Sequence, residues 1–170
     1  MAERPGALGI VFLCSSLLVL SACGTESTGS GAAPRAADSS RAQALDTFCL
    51  ETINAFRATE DLAPLALWSD SASCLVRQAA TDATSGDAHG SFGMCGERAQ
   101  NTCPGWPADT SLASRRSVLR SCVQMMWDEG PGSDFSKHGH YLNMVNPSHT
   151  KVGCGFHQSK GSLWINMDFR

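Results

Sequence analysis

Several things are missing from this sequence, and each absence removes a class of function. There is no HExxH pair, no G-x-S-x-G elbow, no Walker loop and no GxGxxG turn, which sets aside ordinary zinc proteases, α/β-hydrolases and the common nucleotide folds. No cluster of Lys and Arg occurs. With Arg4, Arg35, Arg41, Glu3, Glu26 and Asp38 left out, residues 42–170 keep ten basic against thirteen acidic side chains, so the electrostatic footprint of nucleic-acid binding is absent. No C-x-x-C pair appears, and the tightest spacing in the domain, Cys95 to Cys103, does not suit a zinc-thiolate site. The longest uncharged apolar run, Ala7 to Leu20, falls short of the ~20 residues of a membrane-spanning helix. No internal repeat is visible.

That short run has a different meaning. Arg4 before it and "LSAC" after it give the layout of a secretory signal over residues 1–22. Ser21 and Ala22 directly before Cys23 resemble a bacterial lipobox, which makes Cys23 the lipidated first residue and the membrane a partner; ordinary cleavage nearby and secretion is the alternative. Residues 24–41, "GTESTGSGAAPRAADSSR", hold no aromatic residue and cannot offset the entropy of ordering, so 23–41 is expected to be a flexible tether. Residues 42–170 suffice for one domain with a single core.

Of eight cysteines, Cys14 leaves with the signal and Cys23 takes lipid. Cys49, Cys74, Cys95, Cys103, Cys122 and Cys154 remain, an even set that reads as three disulfides of an exported domain, with the pairing open.

Apolar periodicity predicts a helix over Leu45–Phe56 and another from about Ser71 to Ala83. The second is expected to bury Ala72, Leu75, Val76, Ala79 and Ala80, with Ser69 or Asp70 as cap and Gly86 as stop. A third helix is predicted from about Ala113 to Glu129 with Val118, Cys122, Met125 and Met126 aligned, after the turn-rich "CPGWPADTS". The tail alternates Val152, Cys154, Phe156 and Leu163, Ile165, Met167, Phe169 about Lys160-Gly161, which predicts a β-hairpin. One further short strand is expected between His89 and Cys103. Helices first and a hairpin last argue for an α+β layered domain.

On a helical wheel at ~100° per residue, Glu129 falls within about 20° of Val118, on the buried face. A carboxylate at a helix C-terminus opposes the macrodipole, so its burial calls for a cation or a hydrogen-bond donor. The alternative is that Glu129 turns to solvent past the last turn. His138, His140 and His149 are the nearby imidazoles.

The segment "GHYLNMVNPSHTKVGCG" resembles the signature of the CAP superfamily, the cysteine-rich secretory, antigen-5 and pathogenesis-related proteins. Gly139, His140, Tyr141, Val152, Gly153, Cys154 and Gly155 carry the match. "NAFRATEDLAPLALWSDSASCLVRQAA", "AHGSFGMCGERAQN" and "QMMWDEG" extend it, in the right order, over about Ala44 to Phe169.

The resemblance implies a CAP-like α-β-α sandwich with an antiparallel sheet between helical layers, stapled by disulfides. It also implies a cleft tetrad of His89, Glu97, Glu129 and His140, in which His89 and His140 hold Zn²⁺ or another divalent metal. His138 and His149 are then loop residues. The functional expectation is an envelope-anchored or secreted binding module for a lipid, a glycan or a protein, with Trp106, Met125, Met126, Trp127 and Trp164 as groove residues. The alternative is a metal-dependent peptidase or esterase with Glu97 or Glu129 as base. A third reading makes the tetrad an internal polar network without a ligand.

Overall fold

A computed structural model describes residues 33–170, with the side chains of 33–39 and 42 excepted. The expected signal sequence, the expected lipidation site Cys23 and the expected tether up to residue 32 lie outside the described residues. The elements run α1 (Ala33–Thr59), β1 (Ala66–Leu67), a 3₁₀ turn (Ser69–Ser71), α2 (Ala72–Ser85), β2 (Ala99–Pro107), α3 (Leu112–Trp127), α4 (Phe135–Val145), β3 (Lys151–Ser159) and β4 (Ser162–Phe169).

Residues 33–41, expected in the tether, are the first turns of α1. Alanine and arginine favour helix without burial, and Pro34 fits a first turn, a local preference that a composition argument overlooks.

The sheet order is β1-β3-β4-β2. It is antiparallel except at β1, which runs parallel to β3 through Ala66↔Lys151 and Leu67↔Val152. The predicted hairpin forms with Lys160 and Gly161 at φ 48° and 76°, the left-handed pair of a two-residue turn. The further strand, β2, runs well into the turn-rich stretch. It lies at a sheet edge, and its register shifts between Cys103 and Trp106, so Pro104 costs no ladder hydrogen bond there.

One face of the sheet packs on α1, α3 and α4. Cys103, Val152, Cys154, Leu163, Ile165, Met167 and Phe169 meet Ile53, Leu119, Val123, Met126 and Met144 in one apolar cluster. Leu119 and Val123 of α3 face this core together with Cys122 and Met126, whereas Met125 is 48% exposed, so the stripe is rotated from the expected one.

On the other face lies α2. A Cβ on Gly155 would run into the Leu75 carbonyl, so the glycines of "VGCG" let α2 approach β3 closely. Leu75, Gln78, Ala79 and Asp82 are buried, whereas Val76 is 41% exposed; the polar pair displaces part of the expected apolar stripe. Ser69 and Asp70 belong to the 3₁₀ turn rather than capping α2, and Gly86 at φ 71° ends it as expected.

All six domain cysteines pair. Cys49–Cys154 joins α1 to β3, Cys103–Cys122 joins β2 to α3, and Cys74–Cys95 joins α2 to the loop before β2.

Arg57 closes the end of α1. It is 2% exposed, and its guanidinium donates to Ala63 O at 3.1 and 2.9 Å and to Met144 O at 2.6 Å. The charge is met by carbonyls at the C-terminal end of α4, where the helix dipole favours a cation.

Candidate functional site

The expected tetrad is divided about the edge strand β2. Its first part sits in the loop between α2 and β2, coiled through successive turns: Gly90 N–H donates to Asp87 O, Phe92 N–H to His89 O and Met94 N–H to Ser91 O. Asp82 fixes this loop by accepting from Ser91 N–H at 2.7 Å.

Glu97 lies beneath the loop, 7% exposed. It accepts from Gly93 N–H at 2.5 Å, from Cys95 N–H at 3.0 Å and from the Gln78 amide. Both its oxygens are thereby engaged in holding the loop.

His89 stands at φ 69°, a backbone region that costs a non-glycine residue of order 1 kcal/mol. Its Nδ1 lies 2.7 Å from Gln100 Oε1. Gln100 Nε2 donates to Asp168 Oδ1 at 2.9 Å, which turns the amide oxygen toward the imidazole. His89 Nδ1–H therefore donates to Gln100, and Nε2 is the ring nitrogen left for another partner.

Behind these residues the α2 face carries a buried polar network. Asn166 Nδ2 donates to Asp82 Oδ2 at 2.7 Å, and Trp164 Nε1 and Thr102 Oγ1 donate to Asn166 Oδ1. Asp168 is pushed up to about 8 by burial, reinforced by the nearby carboxylates of Glu97 and Asp82.

The second part forms where α3 meets α4. Glu129 lies beyond the end of α3 at Trp127, so the wheel's premise of continuing helix fails, yet the side chain still turns inward. Its Oε1 is 2.5 Å from His140 Nδ1, and its Oε2 accepts from His140 N–H at 3.0 Å. The predicted need for a partner is met by an imidazole and an amide.

His138, expected on a loop, lies in α4 and donates from Nδ1 to Glu129 O at 2.7 Å, fixing the backbone of that glutamate. His149 does lie between elements, but it is buried against Phe169 at 5.5 Å between ring centres. Trp127 packs between Phe56 and Tyr141, with ring centres 5.1 and 4.8 Å apart. Of the expected groove residues, Met126 and Trp164 are buried instead.

The structure thus joins Glu129 to His140 by hydrogen bonds and gives His89 and Glu97 hydrogen-bond partners of their own. Among the described residues no hydrogen bond joins the two parts, and no three His, Cys, Asp or Glu side chains converge as a metal cluster. The link is β2: Gln100 addresses His89, while the next residue, Asn101, donates from Nδ2 to His140 O at 3.0 Å and accepts from Asn143 at 2.9 Å.

Gln100 and Asp168 were not singled out from the sequence. The available signal was the alternation of Trp164, Asn166 and Asp168 with the apolar residues of β4.

The CAP family, described as the cysteine-rich secretory protein family, matches residues 50–165, a span that includes all four tetrad positions. The chain belongs to the CAP family. No curated protein matches it in sequence. Among solved structures, this CAP chain is similar to Na-ASP-1 at TM-score 0.55 and 13% identity, over 72% of this chain and 37% of that one, so it spans well under half of that protein. NaASP2, in a crystal structure with Zn²⁺, gives TM-score 0.55 and 14% identity, over 72% of this chain and 77% of that one. The hookworm platelet inhibitor gives 0.51 and 18%, over 78% and 69%. At these identities the likeness establishes the fold, a disulfide-stapled α+β CAP domain. Family membership adds the coarse functional statement of a ligand-binding or interaction module.

Proposed function

We propose that this CAP domain is an exported binding module, held at a bacterial envelope through lipidated Cys23, whose two histidines take a divalent metal and whose glutamates do not act as bases. Three disulfides support export, because such bonds persist in oxidising compartments. No described helix is long and apolar enough to cross a membrane.

The observation that carries the reading is the commitment of the two carboxylates. Glu97 accepts three donors through both its oxygens and Glu129 accepts the amide and the ring of His140, so each carboxylate is already engaged in holding its neighbours in place. A general base needs a free lone pair within hydrogen-bond reach of the proton it removes. Binding is therefore favoured over the hydrolase alternative.

The imidazoles suit a metal by a different test. Each has Nδ1 tied to an acceptor, Gln100 for His89 and Glu129 for His140, the outer partner that orients metal-binding histidines and leaves Nε2 available. Two nitrogens leave further positions to water or to a ligand, and a bound divalent ion would supply a Lewis-acidic attachment point there. The Zn²⁺ in the NaASP2 crystal supports the choice of ion.

Calorimetric titration of the oxidised chain with Zn²⁺ tests this. We expect binding in the micromolar range or tighter, lost in His89→Ala/His140→Ala. Absence of binding in folded protein would remove the metal, and turnover of a peptide or ester abolished by Glu97→Gln would restore the hydrolase.

A further inference from the structure

The edge of the sheet opposite β2 carries a second feature. Lys151 and Arg170 exchange both backbone hydrogen bonds, at 2.8 and 3.0 Å, which fixes the phase of the β3–β4 ladder. Gly153, Gly155 and His157 then bond to β4, while Val152, Cys154, Phe156 and Gln158 turn their N–H and C=O groups the other way.

β1 covers this edge only as far as Val152, whose carbonyl accepts from Trp68 N–H at 2.8 Å. Next along, Cys154 N–H donates to Asp46 Oδ1 of α1 at 2.9 Å. The carboxylate stands where the carbonyl of a neighbouring strand would be. Beyond it, Cys154 C=O and both backbone groups of Phe156 meet no partner among the described residues.

These groups line a groove of about 660 Å³ between the start of α1 and α2. Leu45, Leu67, Val76 and Phe156 give it apolar walls, and Arg41 and Arg115 stand in its lining. Asp46, the one acid there among the described residues, is already engaged by Cys154 N–H and raised by its burial above the ordinary carboxylate range.

We propose that this groove binds an extended peptide as an added strand on β3, with a carboxylate of that peptide, terminal or side-chain, held by Arg41 and Arg115. Main-chain pairing would satisfy the open groups of Cys154 and Phe156, and alternate side chains would fill the apolar walls. An acyl chain laid on the same surface would bury those groups unpaired, which is why a peptide suits it better. The charge of the lining selects the anion. This inference goes beyond the reading above and stands on other residues, at the far edge of the sheet from His89 and His140.

The test uses the oxidised, ¹⁵N-labelled full chain and mixed N-acetylated hexapeptides, threonine alternating with randomised valine, isoleucine, leucine or phenylalanine, ending in a free carboxylate. The Phe156 and Gln158 amide signals should shift, and the Phe156 amide should become protected from exchange. A C-terminally amidated set should bind about tenfold more weakly, the loss expected for one charge-assisted contact. Arg41→Gln/Arg115→Gln should bring the carboxylate set down to that level without changing the amidated set. Peptides N-methylated at alternate residues should not bind.

No shift with millimolar peptide, or equal binding of the N-methylated set, would overturn the proposal. So would palmitate shifting these amides where the peptides do not, which would mark a lipid groove instead. Neither result bears on Zn²⁺ binding by the histidines.

Discussion

The two faces of the sheet are equally dry and differently made. Met167, on the side of α1 and α3, and Asn166, its neighbour on the side of α2, both have no exposed surface. Met167 is held by shape and apolar contact, and a substitute of similar volume would serve. Asn166 is held by three specific partners, Thr102, Trp164 and Asp82, and scarcely any other side chain offers that set. A protein interior can thus be tolerant on one side of a strand and exacting on the other. Here the exacting side is the one that adjoins His89.

The largest test of this contrast is covalent. Cys49–Cys154, on the apolar side, spans a sequence separation of 105, whereas Cys74–Cys95, on the polar side, spans 21. Chain-entropy reasoning gives about 4–5 kcal/mol for removing the first pair by double alanine substitution and about 3 kcal/mol for the second. Urea unfolding under oxidising conditions measures both. Equal losses would show that the polar layer depends on its staple more than loop length implies.

Next come single substitutions at adjacent positions. Met167→Ala should cost about 2–5 kcal/mol through the cavity it leaves. Asn166→Leu should cost about 2–4 kcal/mol although it adds apolar surface, because Asp82 Oδ2 and the Trp164 N–H lose their partner. A neutral Asn166→Leu would end the distinction between the faces.

The smallest effect is the pH dependence set by Asp168 between pH 6.5 and 8, at most about 2 kcal/mol. Its native value near 8, against about 3.9 in the unfolded chain, means that the folded state holds the extra proton between those limits. Stability should therefore fall as pH rises from about 4 to about 8, by at most about 1.4 kcal/mol per pH unit from this group. His149 acts in the opposite sense: burial, aided by Arg57 and Arg98, lowers its value, so it removes stability as pH falls below about 6.5. Thermal unfolding between pH 6.5 and 8 separates the two, and Asp168→Asn should flatten that slope.

The same contrast explains what could be read in advance. The apolar face follows from alternation: Leu163, Ile165, Met167 and Phe169 mark a half-buried strand without further information. Asn166 and Asp168 occupy the complementary positions and read as solvent side, because nothing local states that α2 will cover them with Gln78 and Asp82. Glu129 was legible as a carboxylate in need of a partner, and His140 through its family signature. α4 was not legible as a helix, since Gly139 interrupts its apolar pattern and its cap, Asp134, sits among turn residues. That neighbouring residues of an edge strand, Gln100 and Asn101, address His89 and His140 depends on sheet order, which no motif encodes.

Arg57 has one more bearing on the molecule. The helix it grips at Met144 is the one that presents His140, one turn further back. A guanidinium holds several carbonyls at once in a fixed planar fork, and lysine, with a single rotating ammonium, could not keep the same helix at the same depth. If His140 holds a metal as proposed above, inherited changes at Arg57 would surface as weaker Zn²⁺ binding with His89 and His140 both intact, and a survey confined to those two residues would miss their origin.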